Sequence, residues 1–327
     1  MVANWVRAVT LVASLGELGA CTAADYSDGI NGFSQAVTAA AAFGQPLAMA
    51  AQQAEQSQLL QNLPTTDSNT VKLGAGCIGV DPTGYHQGDC AVTIGASKIG
   101  DAGALPDMSS LTKYAADLSA VVADTSCATL QTDAKGIATA VNVIAAKAGD
   151  KEAAASAGPI SQIVGAAACA AIDAEQLRIL RTATGAANPY IQKLVPLIAD
   201  AYQQYYVTAL NDAEKQTFAA MASYKNAASL YQKTKSAAEL QAETSSLTQT
   251  ATLAAAIDKA KTSPPGPVVT KIASLHQSLT DDLKSPTVNL KRVLNDAQTF
   301  VTEATAVTSA VEALQAASAP AATKPTK

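Results

Sequence analysis

The sequence comprises 327 residues, of which 48% are hydrophobic, 4% are aromatic and 15% are charged, and its formal net charge is −5. This apolar content is enough to bury a real core, so disorder throughout the chain is excluded. The acidic balance gives no attraction to phosphate backbones, and no cluster of basic and aromatic residues occurs, so we expect no nucleic-acid partner. Roughly a fifth of the residues are alanine, the best helix former, which predicts closely packed helices.

The first twenty-one residues have the layout of a secretory signal. Arg7 supplies a positive charge, residues 8–15 form a short apolar core, and small residues lead into Leu18-Gly19-Ala20-Cys21. This ending resembles the lipobox of bacterial lipoproteins. The resemblance implies removal of residues 1–20, diacylation of Cys21, and an exported protein held in the cell envelope by its lipid.

Two variants of this expectation follow from the same residues. In lipoproteins, Thr22 after the cysteine is compatible with sorting to the outer membrane, facing the periplasm or the cell surface. Cleavage within Thr22-Ala23-Ala24 by an ordinary signal peptidase would instead release a soluble protein without Cys21. After the signal, no segment has the uninterrupted apolar length of a membrane span, so we expect any membrane attachment to depend on the lipid.

Four further cysteines follow the signal, and we expect them to pair in an oxidising compartment. Sequence proximity favours Cys77 with Cys90 and Cys127 with Cys169, out of three possible connectivities. The alternative, which suits a cytosolic chain, is four small buried hydrophobic residues.

The first half of the chain alternates between helical and glycine-rich segments. Residues 28–63 are predicted to be helical, with Pro46 kinking or splitting the helix. Residues 64–106 hold eight glycines and form a loop or small hairpin insert, stapled by the first disulfide, with strands at 71–80 and 91–94 around a turn at Pro82-Thr83-Gly84.

Helical patterns then continue almost without interruption. Segments 107–123 and 127–148 are predicted helices separated near Asp124 to Ser126, and a helix at 160–182 is predicted to end at Gly185 and Asn188-Pro189. The longest pattern runs from Pro189 to about Lys261. Its apolar stripe advances by steps of three and four through Tyr206, Leu210, Ala213, Thr217, Met221, Tyr224, Ala228 and Tyr231.

The last part of the chain begins at the sharpest break, Ser263 to Pro267. Helices are predicted at 268–283 and 286–317, and residues 319–327 are predicted to be a disordered tail. The second helix has heptad positions Leu290, Ala297, Ala304, Val311 and Val293, Phe300, Val307, Leu314. The sequence therefore predicts an all-α protein: one elongated antiparallel bundle of long helices over residues 21–318.

Residues able to carry chemistry are few. The chain has two histidines, His86 and His276, and no phosphate-binding loop, nucleophile elbow or zinc-protease motif. His276 lies on a predicted helix and is best interpreted as a histidine whose ring is hydrogen-bonded or exposed, and not as a catalytic residue. The zinc-ligand types at Cys77, Asp81, His86, Asp89 and Cys90 are irregularly spaced, which favours a structural disulfide. We expect no enzyme activity, cofactor or metal.

The remaining site hypothesis concerns aromatic residues on the longest helical segment. A binding surface is expected to include Tyr202, Tyr206, Tyr224 and Tyr231. The alternative is that these tyrosines pack at helix seams with their hydroxyls at the rim.

The functional hypothesis is a non-enzymatic structural or interaction protein that presents helix faces to a protein partner in the envelope. A competing class is the helical pore-forming toxins, in which residues 36–51 or 160–172 would form the concealed apolar segment. A third is an enzyme with an unfamiliar site near His86. The sequence specifies neither the partner nor the oligomeric state.

Overall fold

Alanine-rich segments with apolar residues at steps of three and four form the helices of this protein. The computed structural model describes residues 23–61, 71–73, 78–81, 84–87, 92–94, 104–150, 172–285 and 287–318. Within these ranges the chain forms seven packed helices: α1 (Ala23–Gln61), α2 (Ala104–Ala123), α3 (Cys127–Lys147), α4 (Ile172–Thr234), α5 (Ala237–Lys261), α6 (Pro265–Lys284) and α7 (Lys291–Ser318). The prediction of a predominantly helical protein is confirmed.

Four short strands lie between α1 and α2. They are β1 (Val71–Leu73), β2 (Ile78–Asp81), β3 (Gly84–Gln87) and β4 (Val92–Ile94). β1 pairs antiparallel with β4, and β2 pairs antiparallel with β3. The single strand predicted at 71–80 is therefore two strands with different partners. Cys77 and Cys90 lie outside the described residues, so their pairing stays a prediction.

Several predicted helix boundaries agree with the structure. α2 and α3 are separated at residues 124–126, where the Ser126 hydroxyl accepts a hydrogen bond from the Thr129 amide at 3.3 Å and caps α3. α1 continues through Pro46, so the helix is not split. α5 ends and α6 begins at the predicted break between Lys261 and Pro265.

The predicted helix end at Gly185 and Asn188-Pro189 is wrong, because α4 continues through these residues. An internal proline removes one backbone hydrogen bond and costs about 3 kcal/mol in an isolated helix. Here the flanking residues Ala187, Ile191 and Leu194 are fully buried. Their burial outweighs the local preference, since tertiary packing supplies most of the stability of a helix in a protein.

The predicted continuous helix from Pro189 to Lys261 is also wrong. α4 ends at Thr234, and Lys235 has a left-handed backbone with φ of 52°. Ser236 then caps α5 by accepting a hydrogen bond from the Glu239 amide at 3.2 Å. Ser236-Ala-Ala-Glu239 has the spacing of a capping box, a helix-start signal that was present in the sequence.

The described residues divide into two compact units. Unit 1 is formed by the described parts of residues 1–35, 110–192 and 273–298. Its core contains large side chains from α1, α2, α3, α4 and α6, including Phe33, Leu118, Ile144, Leu180 and Leu279.

Two side chains of α4 satisfy helix ends in unit 1. The Gln176 amide donates to the carbonyls of Val121 and Asp124, at 2.8 and 2.9 Å, at the end of α2. The Arg181 guanidinium donates to the Leu283 carbonyl at 2.5 Å, at the end of α6. Carbonyls at helix ends have no partner within the helix, so these side chains fix where the helices stop.

Unit 2 is formed by the described parts of residues 36–109, 193–272 and 299–327. Phe43 of α1 meets Tyr202 of α4 edge to face, with ring centroids 5.6 Å apart. The Gln315 amide of α7 donates to the Pro46 carbonyl at 2.7 Å. These contacts join three helices that are distant in sequence.

The heptad predicted for the last helix is confirmed by burial. Each of its eight residues in α7 or just before it is at most 2% exposed, namely Leu290, Val293, Ala297, Phe300, Ala304, Val307, Val311 and Leu314. Cys127, the first residue of α3, forms a disulfide bond. The other cysteines lie outside the described residues, so the pairing with Cys169 stays a prediction.

Candidate functional site

Two features are candidates for a functional site, and the first is a buried histidine in unit 1. His276 of α6 has no exposed surface and lies between the rings of Phe33 and Tyr114, with centroids 5.5 and 5.6 Å away. Its Nε2 is 2.9 Å from the Tyr114 hydroxyl, and its Nδ1 is 3.0 Å from Asn188 Oδ1. Both ring nitrogens therefore have partners.

The neighbouring amides determine which nitrogen carries the proton. Asn188 Nδ2 donates to Gln277 Oε1 at 2.6 Å, so Asn188 Oδ1 faces the histidine as an acceptor. Gln192 adds a donor to that same oxygen at 3.3 Å and donates to the Ala273 carbonyl at 2.8 Å. His276 Nδ1–H thus donates to Asn188, and Nε2 accepts from Tyr114.

Burial keeps this histidine neutral. Desolvation lowers the pKa of His276 to about 3, and it raises the pKa of the Tyr114 hydroxyl well above its usual range. A neutral ring with both nitrogens engaged has no free lone pair for a substrate proton. His276 therefore acts as a hydrogen-bonded core residue, in agreement with the interpretation of a satisfied helical histidine.

The second feature is the α4–α5 hairpin, defined as residues 213–257 of unit 2. Lys235 and Ser236 connect its two helices, and Glu214 and Lys261 form an ion pair of 2.8 Å between them. Between residues 214 and 252, all of which the structure describes, Ala220 and Ala227 are the only buried residues. Most of this helix pair is therefore exposed to solvent.

Buried and partly buried positions define the seam of the hairpin. On both helices they recur by alternating steps of four and three, the spacing of one helix face, with Glu214, Gln216 and Ala228 partly buried beside them. The seam positions are Ala213, Thr217, Ala220, Tyr224, Ala227 and Tyr231 on α4, and Glu239, Glu243, Ser246, Thr250, Leu253 and Ile257 on α5. Because the connection is two residues long, we infer that these two faces pack against each other as an antiparallel pair.

Helical geometry gives the hairpin two different outer faces. In an antiparallel pair, the residues that follow a seam position point to the same side on both helices. This side, here called the apolar face, carries Phe218, Met221, Leu240 and Leu247, with Ala228, Ala251 and Ala254 between them. Its remaining positions between residues 218 and 254 are Lys225, Gln232 and Thr244. Phe218 is 71% exposed, and Leu240 and Leu247 are 45% and 51% exposed.

The residues that precede the seam positions form the opposite side, here called the polar face. Its residues are uncharged and mostly small or polar: Gln216, Ala219, Ser223, Asn226, Leu230, Ala238, Ala242, Ser245, Gln249 and Thr252. Leu230 is the one large apolar residue among them, and it is 46% exposed. The hairpin is therefore amphipathic across its width. Clustered exposed apolar side chains of this kind mark interaction surfaces.

The four tyrosines predicted to form a binding surface are not together on one. Tyr202 and Tyr206 are buried in unit 2, which corrects the prediction for these two residues. Desolvation raises the pKa of both hydroxyls above the usual range. Tyr224 and Tyr231 are half-buried in the hairpin seam. The alternative interpretation, tyrosines at helix seams, describes this second pair.

The other predicted site residues belong to parts of the chain with little or no description. Cys21, Cys77, Cys90 and Cys169 lie outside the described residues, and only the backbone of His86 is described, in β3. Within the described ranges, no group of three or more His, Cys, Asp or Glu side chains is arranged to hold a metal ion. Among the same residues, no helix is both long and apolar enough to cross a membrane.

Comparison with known proteins gives no family for this chain. No family model matches it, and neither a curated protein nor a solved structure matches it.

Sequence reasoning missed the apolar face of the hairpin. The predicted stripe included Met221 and Ala228, whereas the seam includes the buried residues Ala220 and Ala227. Either residue of each pair, Ala220 or Met221 and Ala227 or Ala228, fits a pattern with steps of three and four, because both residues of each pair are apolar. The capping box at Ser236 would have divided the long helix and indicated a hairpin.

Proposed function

We propose that this chain is an exported, lipid-anchored helical protein of the cell envelope that acts through contact and not through catalysis. The observation that carries the interaction role is the apolar face of the α4–α5 hairpin, with Phe218, Met221, Leu240 and Leu247 exposed on one side of a helix pair. Large apolar side chains clustered on one face favour association with another surface, because their burial removes apolar area from water.

The anchoring part of the proposal is supported by the sequence at the start of the chain. Leu18-Gly19-Ala20-Cys21 follows a charged and an apolar region, and acylation of Cys21 would attach the protein to a membrane, with the outer membrane favoured by Thr22. In this proposal the body is an elongated antiparallel bundle. Disulfides Cys77–Cys90 and Cys127–Cys169 then stabilise the glycine-rich insert and the helices.

Mass spectrometry of the protein purified from its native cells tests the anchoring. We expect a mature N-terminus at an acylated Cys21, recovery with the membrane fraction, and no free thiol among the other four cysteines. An intact chain from the cytosolic fraction, with Met1 retained and every thiol reduced, would contradict export. A soluble chain that begins after Cys21 would contradict only the lipid anchor.

Site-specific photo-crosslinking tests the interaction role. A photoreactive residue replacing Phe218 reports on the apolar face, and the same residue replacing Ser223 reports on the polar face of the same helix. In intact cells we expect an adduct with an envelope component, protein or lipid, from position 218 and a much weaker one from position 223. Equal yields at the two positions would show that the apolar face is not the contact surface.

A second candidate function is membrane permeabilisation in the manner of helical toxins. The observation that favours it is again the amphipathic hairpin, together with a concealed apolar segment in α1, where Val37, Phe43 and Leu47 are fully buried. Purified protein would then release a fluorescent dye from liposomes. Binding to liposomes without dye release would exclude this candidate and leave the interaction role.

A further inference from the structure

The charges of the α4–α5 hairpin differ from those of the chain as a whole. The chain has a formal net charge of −5, yet residues 215–238 contain four lysines and no aspartate or glutamate: Lys215, Lys225, Lys233 and Lys235. This stretch is therefore basic within an acidic protein, with Glu214 directly before it and Glu239 and Glu243 after it on α5. This segregation favours an anionic partner, because opposite charges attract across a contact.

Lys225 lies on the apolar face, Lys235 lies at the connection, and Lys215 and Lys233 lie on the outer side of α4, between the two faces. Lys225 directly follows the seam residue Tyr224, and the Nζ of Lys235 is 5.3 Å from the centroid of the Tyr231 ring. The two carboxylates of the facing segment, Glu239 and Glu243, are half-buried seam residues. Lysine stems can lie along apolar surface while their ammonium groups reach outward.

The size of the apolar face argues against a protein partner. It covers about 15 residues of each helix, or about 22 Å by about 20 Å, which gives roughly 450 Å². Stable protein interfaces bury about 800 Å² on each partner. A bilayer sets no such minimum, since it accepts separate apolar side chains beside basic residues, the composition typical of helices that lie in a membrane interface.

We propose that the α4–α5 hairpin docks on an anionic lipid bilayer, with its apolar face inserted among the headgroups and its lysines near the lipid phosphates. The proposal rests on the interaction role proposed above and identifies the partner of that surface. It adds a second membrane contact to the one expected from an acylated Cys21. An amphipathic helix contact adds to the membrane affinity that the acyl chains supply.

Vesicle flotation with the full chain carrying Cys21→Ser tests this proposal, because that substitution removes the acylation site. The probes are vesicles of phosphatidylcholine alone and vesicles with 30% phosphatidylglycerol, which supply a neutral and an anionic surface. We expect at least tenfold tighter binding to the anionic vesicles and a loss of this difference in high salt, since salt screens the lysine charges.

Matched leucine substitutions on the two faces separate docking from other binding. In the same Cys21→Ser background, we expect Leu247→Gln to weaken binding to anionic vesicles about fivefold or more, and Leu240→Gln with Leu247→Gln to weaken it further. Leu230→Gln, the same change at a similarly exposed position of the polar face, is expected to leave binding unchanged. Urea unfolding verifies that each variant remains folded.

A lysine substitution tests the charge contribution separately. Lys225→Gln is expected to weaken binding to the anionic vesicles roughly fivefold and to leave binding to neutral vesicles unchanged. Equal effects of Leu247→Gln and Leu230→Gln, or equal binding to both vesicle types, would overturn the proposal.

Two outcomes would separate the lipid proposal from the proposed function. Concentration-dependent self-association that Leu240→Gln/Leu247→Gln abolishes, without vesicle binding, would make a second copy the occupant. A protein adduct from position 218, without vesicle binding, would likewise overturn the lipid proposal. In both cases the contact role of the apolar face would stand.

Discussion

The Tyr114 hydroxyl lies 2.9 Å from His276 Nε2, and both side chains are fully buried in unit 1. The tyrosine donates to a neutral imidazole whose other nitrogen donates to Asn188. This arrangement joins α2, α4 and α6 through a chain of polar side chains inside an otherwise apolar core. Buried polar groups stabilise a fold only while each keeps its hydrogen-bond partner, so the loss of one partner in this network is expected to lower the free energy of unfolding.

The first prediction is that unit 1 loses stability in mild acid because of His276. Its pKa is about 3 in the folded protein and about 6.5 in the unfolded chain. As the pH falls below 6.5, the unfolded state binds a proton that the folded state does not, so the free energy of unfolding decreases by up to about 1.4 kcal/mol per pH unit until the pH approaches 3. Urea unfolding at pH 7 and pH 5 should differ by about 2 kcal/mol.

The control for this prediction is His276→Gln, which removes the titrating group. Its own stability is expected to be lower at pH 7, but the difference between pH 7 and pH 5 should shrink by about 2 kcal/mol relative to the wild type. An unchanged pH dependence would show that His276 is not held neutral in the core.

The second prediction compares two buried tyrosines. Tyr114→Phe leaves His276 Nε2 without its donor and is expected to lower the free energy of unfolding by about 1–3 kcal/mol. Among the described residues, the buried Tyr202 hydroxyl has no hydrogen-bond partner, so Tyr202→Phe is expected to be neutral or stabilising. Chemical denaturation of both variants checks the ranking. A larger loss for Tyr202→Phe would contradict it.

The sequence contained enough information to predict most of the helices and one complete core stripe. In α7 the large apolar residues recur at two heptad positions with polar residues elsewhere, so only one face can be buried, and Phe300 and Leu314 are indeed buried. The break at Ser263 to Pro267 was equally clear, because three prolines and a glycine in five residues oppose a helix.

The features that escaped prediction depend on contacts between distant residues. Pro189 stays helical because its neighbours are buried by other helices, which local propensity does not record. The partners of His276 lie 162 and 88 residues away in sequence, at Tyr114 and Asn188. Met221 belongs to the predicted apolar stripe but is 39% exposed, because a periodic pattern does not show whether another part of the described chain covers a residue.

The third prediction concerns two glycines of unit 1. A Cβ at Gly29 would overlap the Leu290 side chain, including its Cβ, so Gly29→Ala is expected to lower the free energy of unfolding by about 1–3 kcal/mol. At Gly185, in the interior of α4, the nearest atom to an added Cβ is Lys284 Cε at 3.9 Å. Gly185→Ala is therefore expected to stabilise by about 0.5–1 kcal/mol, since alanine favours a helix. Thermal unfolding that ranks both variants equally would contradict the close approach of α1 to Leu290.

The last prediction concerns the stability of the α4–α5 hairpin itself. Few buried apolar groups hold its helices between residues 214 and 252, so we expect its amides to exchange with deuterium much faster than those of α7, whose heptad residues are buried. Ser236→Ala removes the cap of α5 and costs about 0.5–2 kcal/mol, which should accelerate exchange in the first turn of α5 about two- to thirtyfold. Ser245→Ala, on the polar face of the same helix, provides the control and should change exchange little. If the amides of the hairpin and of α7 were equally protected from exchange, another surface would cover the hairpin in solution. If Ser236→Ala and Ser245→Ala changed exchange equally, Ser236 would not cap α5.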